Sequence, residues 1–288
     1  MEKIKKYIRP IFLLALAVIV AVIWYAVFYA EAHQNLIVSF FDIGQGDSIF
    51  IESPDGNQIL IDGGPSDAVL SKLGHVLPFW DRSLDLLVLT HAHADHVTGL
   101  VEVLKRYHVD RVLESGEAYS TPEYQDWHTL IKEKNIPVTI AAAGEEVRAG
   151  AVRINILSPN ENENGVSFKN PHDANVTTRL QYGANSFLLM GDAEKMIEYR
   201  LLSETRQSLK SDILKVGHHG SKTSSSQEFL QAVAPKIAVI QVGRKNRYGH
   251  PHQEVLDRLG AIGTQILRND LLGDITIESD GARYWVEK

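Results

Sequence analysis

Residues 90–100 read THAHADHVTGL, which places His91, His93 and His96, with Asp95 among them, inside six positions. Imidazole has two common uses, proton transfer and metal ligation. A quarter of the chain's 12 histidines sit here around a carboxylate, which favours metal. Further donors occur in three other segments: Asp192 in MGDAE, the pair His218-His219 in GHHGS, and His250 and His252 in GHPH. His91 and His93, two apart, can point to one side of an extended segment, while Asp95 and His96 at the start of a helix can face a second position. That is a geometry for two adjacent ions, with Asp192 able to bridge them. Plainer readings stand beside it. Asp192 could cap a helix, since Ala-Glu-Lys-Met follows. His218-His219 could be a polar turn, and His250 and His252 could flank a helix.

Such donors need rigid seats, and the hydrophobic pattern supplies them at strand ends. DLLVLT (85–90) is nearly all apolar, as a strand buried on both faces should be, and the histidine cluster follows it directly. SFLLMGD (186–192) ends in Asp192, and DILKV (212–216) leads into His218-His219. KIAVIQV (236–242) leads into the loop GRKNRYGHPH. Upstream, LIVSFF, SIFIES and QILID are three short strands separated by turn signals at 44–47 and 54–57. A strand near 137–141 and VRINILS (152–158) complete the set. Helices are predicted near 66–75, 97–107, 123–134, 193–204, 226–233 and 252–260. Residues 159–176 are polar and read as loop, and the C-terminus reads as a hairpin around Asp280-Gly281. Strands followed by strand–helix alternation, in both halves, imply two packed sheets with helices outside.

The chain has 288 residues, 44% hydrophobic and 23% charged, enough for one domain with a full core. Its formal net charge of −7 gives no global attraction for nucleic acid, although a local basic rim is compatible with it. The absence of cysteine excludes disulfides, thiolate ligands and a cysteine nucleophile. Residues 1–10 are basic and 11–30 carry no charge. About 20 helical residues span roughly 30 Å, one bilayer core. The expectation is therefore a cytoplasmic basic N-terminus, a single-pass transmembrane signal anchor over 11–30, and a catalytic domain over 36–286 outside the cytoplasm. The rival is secretion after cleavage near Ala32.

With FDIGQGDSIFI, QILIDGG, LLMGDAE, DILKVGHHGSKTSSS and NRYGHPH added to the histidine cluster, the sequence resembles the metallo-β-lactamase superfamily. Within it, the chain is similar to the soluble domain of competence proteins of the ComEC/Rec2 type, here as a stand-alone domain with one anchor, and to the phosphorylcholine esterase module of choline-binding proteins. The resemblance covers about residues 36–286. It implies an α/β fold, the αββα sandwich of the metallo-β-lactamase fold, with a two-metal site at the sheet edges. By position, His91, His93, Asp95, His96, Asp192 and His218 match metal ligands. The loop NPHDANVTTRL offers Asn175 as the branch's usual residue and His172 as a substitute donor. Asp47 and Asp62 match carboxylates that stand behind the ligands and orient their imidazoles.

Oxygen and imidazole donors without sulfur suit two divalent ions, Zn²⁺ or Mn²⁺. Such ions lower the pKa of a coordinated water to roughly 7 and can hold a phosphoryl oxygen beside it. Asp95 could then take a proton from the attacking water, and His219 or His250 could give one to the leaving oxygen. Lys222, Arg244 and Arg247, with Lys215 and Lys245, would form a positive rim for phosphate, or else simply a solvated face. The resulting expectation is a metal-dependent hydrolase, a phosphodiesterase or nuclease whose substrate is DNA or RNA. The rivals are cleavage of cell-wall or lipid-linked phosphodiesters, cleavage of a β-lactam or lactone, and a metal-stabilised binding module without turnover. The sequence names the membrane as a partner through the anchor, and no protein partner.

Overall fold

The computed structural model describes residues 2–32, 35–162, 164–205 and 209–287. After an N-terminal helix α1 (Glu2–Ala32), the chain runs β1 (Leu36–Phe40), β2 (Ile49–Glu52), β3 (Gln58–Ile61), α2 (Ala68–Val76), β4 (Ser83–Leu84), β5 (Leu86–Leu89), α3 (Ala94–Arg106), β6 (His108–Val109), β7 (Val112–Glu114), α4 (Pro122–Lys134) and β8 (Val138–Ile140). Then follow β9 (Glu146–Ala149), β10 (Val152–Ser158), β11 (Thr177–Tyr182), β12 (Asn185–Leu189), α5 (Lys195–Thr205), β13 (Ile213–Lys215), α6 (Gln227–Val233), β14 (Ile237–Ile240), α7 (Gln253–Ala261), β15 (Gln265–Arg268), α8 (Asn269–Leu272), β16 (Ile275–Ser279) and β17 (Tyr284–Val286).

Two sheets carry the fold, in strand orders β17-β16-β1-β2-β3-β5-β7-β8 and β15-β14-β13-β12-β11-β10-β9. Strict alternation builds the layers. In β5, Leu86 and Val88 enter the core between the sheets, while Leu87 and Leu89 enter the core beneath α2, α3 and α4. In β12, Phe187 and Leu189 face the other sheet, and Leu188 faces α5 and α6. The result is helix, sheet, sheet, helix, the expected αββα sandwich. The runs β3-β5-β7-β8 and β12-β13-β14-β15 are parallel. Their carboxyl ends lie on one side of the sandwich, where open α/β sheets place ligands.

Helix α3 carries the second half of the histidine cluster, and its seating is close. A Cβ on Gly99 would lie 1.8 Å from the Gly63 carbonyl oxygen, so only glycine lets α3 rest against the turn after β3. Val97, Leu100, Val101 and Leu104 fill its buried face at helical spacing, while Glu102 meets Lys105 and Arg106 on the solvent side.

One expectation is overturned. Among the described residues no helix is long and apolar enough to cross a membrane. Side chains of α1 are described over 9–25. The single-pass anchor over 11–30, the membrane as a partner and the extracytoplasmic placement built on the anchor are therefore withdrawn; side chains 26–30 and the cleavage segment at 30–32 lie outside that described stretch. In the described domain, the C-terminal hairpin pairs Ser279 with Tyr284, with its turn at 280–283. Strands β7, β9, β11 and β15 and the two-stranded β4–β6 pair were not predicted.

Candidate metal centre

Four of the strand ends deliver the donors. The turn after β5 holds His91 and His93, and α3 begins at Ala94, so Asp95 and His96 sit on its first turn. Asp192 follows β12, His218 and His219 follow β13, and His250 comes from the loop after β14. Two of these residues, and Asp62 after β3, hold left-handed backbone: His218 at φ 45°, His219 at φ 52° and Asp62 at φ 57°. Each such non-glycine position costs on the order of 1–3 kcal/mol, and this kind of strain clusters at functional sites.

Asp192 Oδ2 is the focus. His96 Nε2 lies 3.4 Å from it, His219 Nε2 3.5 Å, His218 Nε2 3.9 Å, and His91 Nε2 and His172 Nδ1 4.0 Å each. Two of these imidazoles are held in orientation by what their other nitrogen does. His96 Nδ1 donates to Asp62 Oδ2 at 2.7 Å, and His219 Nδ1 donates to the Gln241 carbonyl at 2.9 Å. Their Nε2 atoms therefore face carboxylate oxygen across a gap. His91 Nε2, His96 Nε2, His219 Nε2, His172 Nδ1 and Asp192 Oδ1 are all buried without a hydrogen-bond partner. Buried polar atoms are rarely left so, and here they converge. Cations beside Asp192 Oδ2 would satisfy the four imidazole nitrogens, so the residues present fit divalent ions.

Among the described residues four sets of donors are close enough to hold an ion. Two form the corners of the cleft, His91, His93 and His172 in one and Asp95, His96, Asp192 and His219 in the other, while His172, Glu194 and His218, and Asp47, Asp62 and His96, overlap them. The corners differ electrostatically. Burial pushes His91 well down, with the neighbouring His96 adding to it. Burial lowers His93 too, and it takes His172 down to about 4 against the pull of Asp192. Three neutral imidazoles are what metal ligation requires. In the other corner burial opposes charge on His96 and His219, but Asp192 outweighs it, joined by Asp62 and Asp47 respectively. His96 is raised well above its ordinary value and His219 to about 10. Burial would raise Asp192 and Asp95. The imidazoles beside them prevail, holding Asp192 well below the carboxylate range and Asp95 at about 2.

Behind these donors stand supporting groups. Asp62 accepts from the Thr90 backbone and hydroxyl as well as from His96. Asp47 lies 3.3 Å from His219 Nδ1 and pairs closely with the Lys215 ammonium. Asn175 has both ends of its amide engaged: Oδ1 accepts from the Asp192 N–H at 2.8 Å, and Nδ2 donates to the Met190 carbonyl and Thr177. It braces the loop that carries Asp192, and His172 is the residue from its segment that reaches the three-imidazole corner.

Lys215 departs from its expected place on a positive rim. It follows Ile213 on the inter-sheet face of β13, is 0% exposed, and also donates to the Gly191 carbonyl at 2.8 Å. The cleft above the donors has a volume of about 210 Å³. Lys222, Arg244 and Arg247 are exposed and do not line it, whereas Gln45, Tyr248 and His250 do. Three further participants escaped the sequence reading. Glu194 accepts from His218 Nδ1 at 3.0 Å and is drawn down to about 2, first by that hydrogen bond. Glu117 accepts the Ala92 N–H, between His91 and His93, at 2.7 Å. Tyr248 stacks on His250. Only Glu194 left a signal, a carboxylate two residues after Asp192.

An αββα sandwich with two His/Asp donor sets at the carboxyl ends of its parallel strands defines a metal-dependent hydrolase. Consistently, the sequence model of the metallo-beta-lactamase superfamily matches residues 41–244, and the chain belongs to that superfamily. Among curated proteins it is 33% identical over 256 residues to ComE operon protein 3 of Bacillus subtilis, covering 83% of this chain and 32% of that protein. It is 31% identical over 246 residues to Recombination protein 2 of Haemophilus influenzae, covering 83% of this chain and 28% of that one. The chain thus spans about a third of the length of these relatives, and its relation to ComEC/Rec2-type proteins is a loose one. The fold also matches the metallo-beta-lactamase fold protein YhfI of Bacillus subtilis, with a TM-score of 0.58 at 13% identity over 85% of this chain and all of that one.

Proposed function

We propose that the chain hydrolyses phosphodiesters, with nucleic acid as the substrate class. The observation that carries this is the convergence of five imidazole nitrogens within 4.0 Å of one Asp192 oxygen. The names of the relatives, Recombination protein 2 among them, support nucleic acid over the other phosphodiesters.

In this reading His91, His93 and His172 would hold one divalent ion, Zn²⁺ or Mn²⁺. Asp95, His96, Asp192 and His219 would hold the other. Bound ions supply Lewis acidity toward a phosphoryl oxygen and a water acidic enough to attack near neutral pH. The chain's own residues do the rest. Asp95, anionic down to about pH 2 and partly open to the cleft, accepts the proton of the attacking water. Asp62 and the Gln241 carbonyl hold Nδ1 of His96 and His219, which turns their Nε2 atoms toward Asp192, and on that geometry we assign His219 to ligation. His250 is lowered to about 4, by burial first and then by His218 and His219. Neutral at pH 7, it holds no spare proton, so we assign it to orienting the substrate.

The test is hydrolysis of bis(p-nitrophenyl) phosphate by the chelator-stripped chain, with Mn²⁺ or Zn²⁺ added back, and nitrocefin run in parallel. Restored diester cleavage with no nitrocefin turnover is expected. Nitrocefin cleavage without diester cleavage would overturn the proposal.

A further inference from the structure

The loop between β14 and α7 carries Arg244, Lys245 and Arg247, and it also brings an aromatic ring to the mouth of the cleft. Tyr248 lines the cleft beside His250 and His218 and is 52% exposed, so much of the side chain meets solvent next to the donors. The ring is not adrift. It stacks on His250 at 5.7 Å with an interplanar angle of 25°. The loop itself is clamped by one side chain: Asn246 Nδ2 donates to the Gly243 and His250 carbonyls, and its Oδ1 accepts from the His250 N–H. The Arg247 guanidinium lies 5.3 Å over the Tyr248 ring, so a flat group already finds that ring accessible.

Exposed aromatic faces interleaved with cations are what single-stranded nucleic acid uses: bases stack, and phosphates meet the charges. We infer that Tyr248 is a stacking platform for a nucleobase adjoining the phosphodiester in the cleft, with Arg247 and Lys245 serving the flanking phosphates. This rests on the phosphodiester reading for the position of the strand, but not for the stacking itself. The base takes the place of the Arg247 guanidinium on the ring, which frees that cation for a phosphate oxygen. A duplex buries its base faces within its own stack, so the site selects single strands or frayed ends.

The experiment is fluorescence anisotropy of the full chain with labelled single-stranded thymidine oligomers, and with oligomers of equal length whose sugars lack bases. Uridine oligomers tell ribose from deoxyribose strands. Wild-type protein is expected to bind the base-bearing strand about tenfold more tightly than the abasic one, as one base–aromatic stack provides. Tyr248→Ala should lose that preference, and Tyr248→Phe should keep it. Equal binding of the two strands by wild type, or an unchanged preference in Tyr248→Ala, would overturn the inference. So would a Tyr248→Phe variant that behaves like Tyr248→Ala. Bis(p-nitrophenyl) phosphate turnover is read separately: a stacking preference without turnover leaves the platform standing and removes the phosphodiesterase reading.

Discussion

The two corners of the cleft are built from the same side chain and tuned in opposite directions. His91, His93 and His172 form a corner of imidazoles whose pKa values are lowered, burial first, with Asp192 4.0 Å from His91 and His172 and Glu194 beside His172. His96 and His219 each have a carboxylate on the far nitrogen, Asp62 and Asp47, and share Asp192 and Asp95 in front. Burial is common to both corners, so burial does not distinguish them. The carboxylates do. A corner rich in carboxylate attracts a dication by charge as well as by lone pairs, whereas the three-imidazole corner offers mainly lone pairs, with Asp192 as the shared charge. The carboxylate-backed corner should therefore bind its ion more tightly and surrender it last to a chelator.

The most severe way to break the contrast is to remove what both corners share. Asp192→Ala is expected to lower kcat/KM on a phosphodiester by roughly a thousandfold or more, since the ions it would bridge supply several kcal/mol. The fold should persist, because the sandwich has its own three apolar cores. A melting temperature lowered by loss of a helix cap, with turnover intact, would instead return Asp192 to a capping role.

Next in size is the cation behind the carboxylate-backed corner. Lys215 occupies an inter-sheet position, and its ammonium is neutralised by Asp47 and the Gly191 carbonyl. Lys215→Met would leave the Asp47 carboxylate buried without its partner, and breaking such a pair costs about 3–5 kcal/mol. Chemical denaturation should show that loss, and adding Asp47→Asn should recover much of it. If the single and double variants are equally unstable, the ion pair is not what Lys215 contributes.

A smaller effect should separate the corners. In Asp62→Asn, His96 keeps a hydrogen-bond acceptor but loses the charge behind it. Affinity for one ion should fall about 10–100-fold, with the other unchanged. Competition with a chromophoric chelator, fitted to two sites, reads this directly. A parallel loss at both sites would mean that the corners are not independent.

Much of this contrast was legible in the sequence, and the rest was hidden for identifiable reasons. The spacing of His91, His93, Asp95 and His96 is local, and a buried strand end followed by a helix start is enough to suggest two directions of donation. Ligand backing is not local: Asp62 meets His96 across 34 positions, and Glu117 meets Ala92 across 25. Lys215 looked like a rim cation because a lysine is seldom at home between sheets, and only the register of β13 places it there. Strand β11, TTRLQY, was passed over because its polar residues hide the alternation. The apolar run near the N-terminus pointed to a span that the described helix does not provide.

The smallest effect concerns the three-imidazole corner, which has a buried carboxylate of its own put to a different use. Glu117 bonds the backbone between His91 and His93 and touches neither ring. Burial raises its pKa to about 7, beyond what the Ala92 N–H can offset. The folded state thus holds its proton at pH values where the unfolded chain, with an ordinary glutamate near 4.5, has lost it. Stability must then fall as pH rises from about 4.5 through about 7, and the loss is complete above that. Glu117→Gln retains an oxygen for the Ala92 N–H and has no charge to bury. The metal-free variant should therefore be more stable than wild type at pH 8, with the gap shrinking toward pH 5. Between pH 5 and pH 7 the gap should change by on the order of 2 kcal/mol. Denaturant titrations of both proteins at several pH values check this. A constant gap would mean that Glu117 is ionised throughout. The three-imidazole corner would then carry a negative charge in its wall, and the electrostatic difference between the two corners would be smaller than the geometry implies.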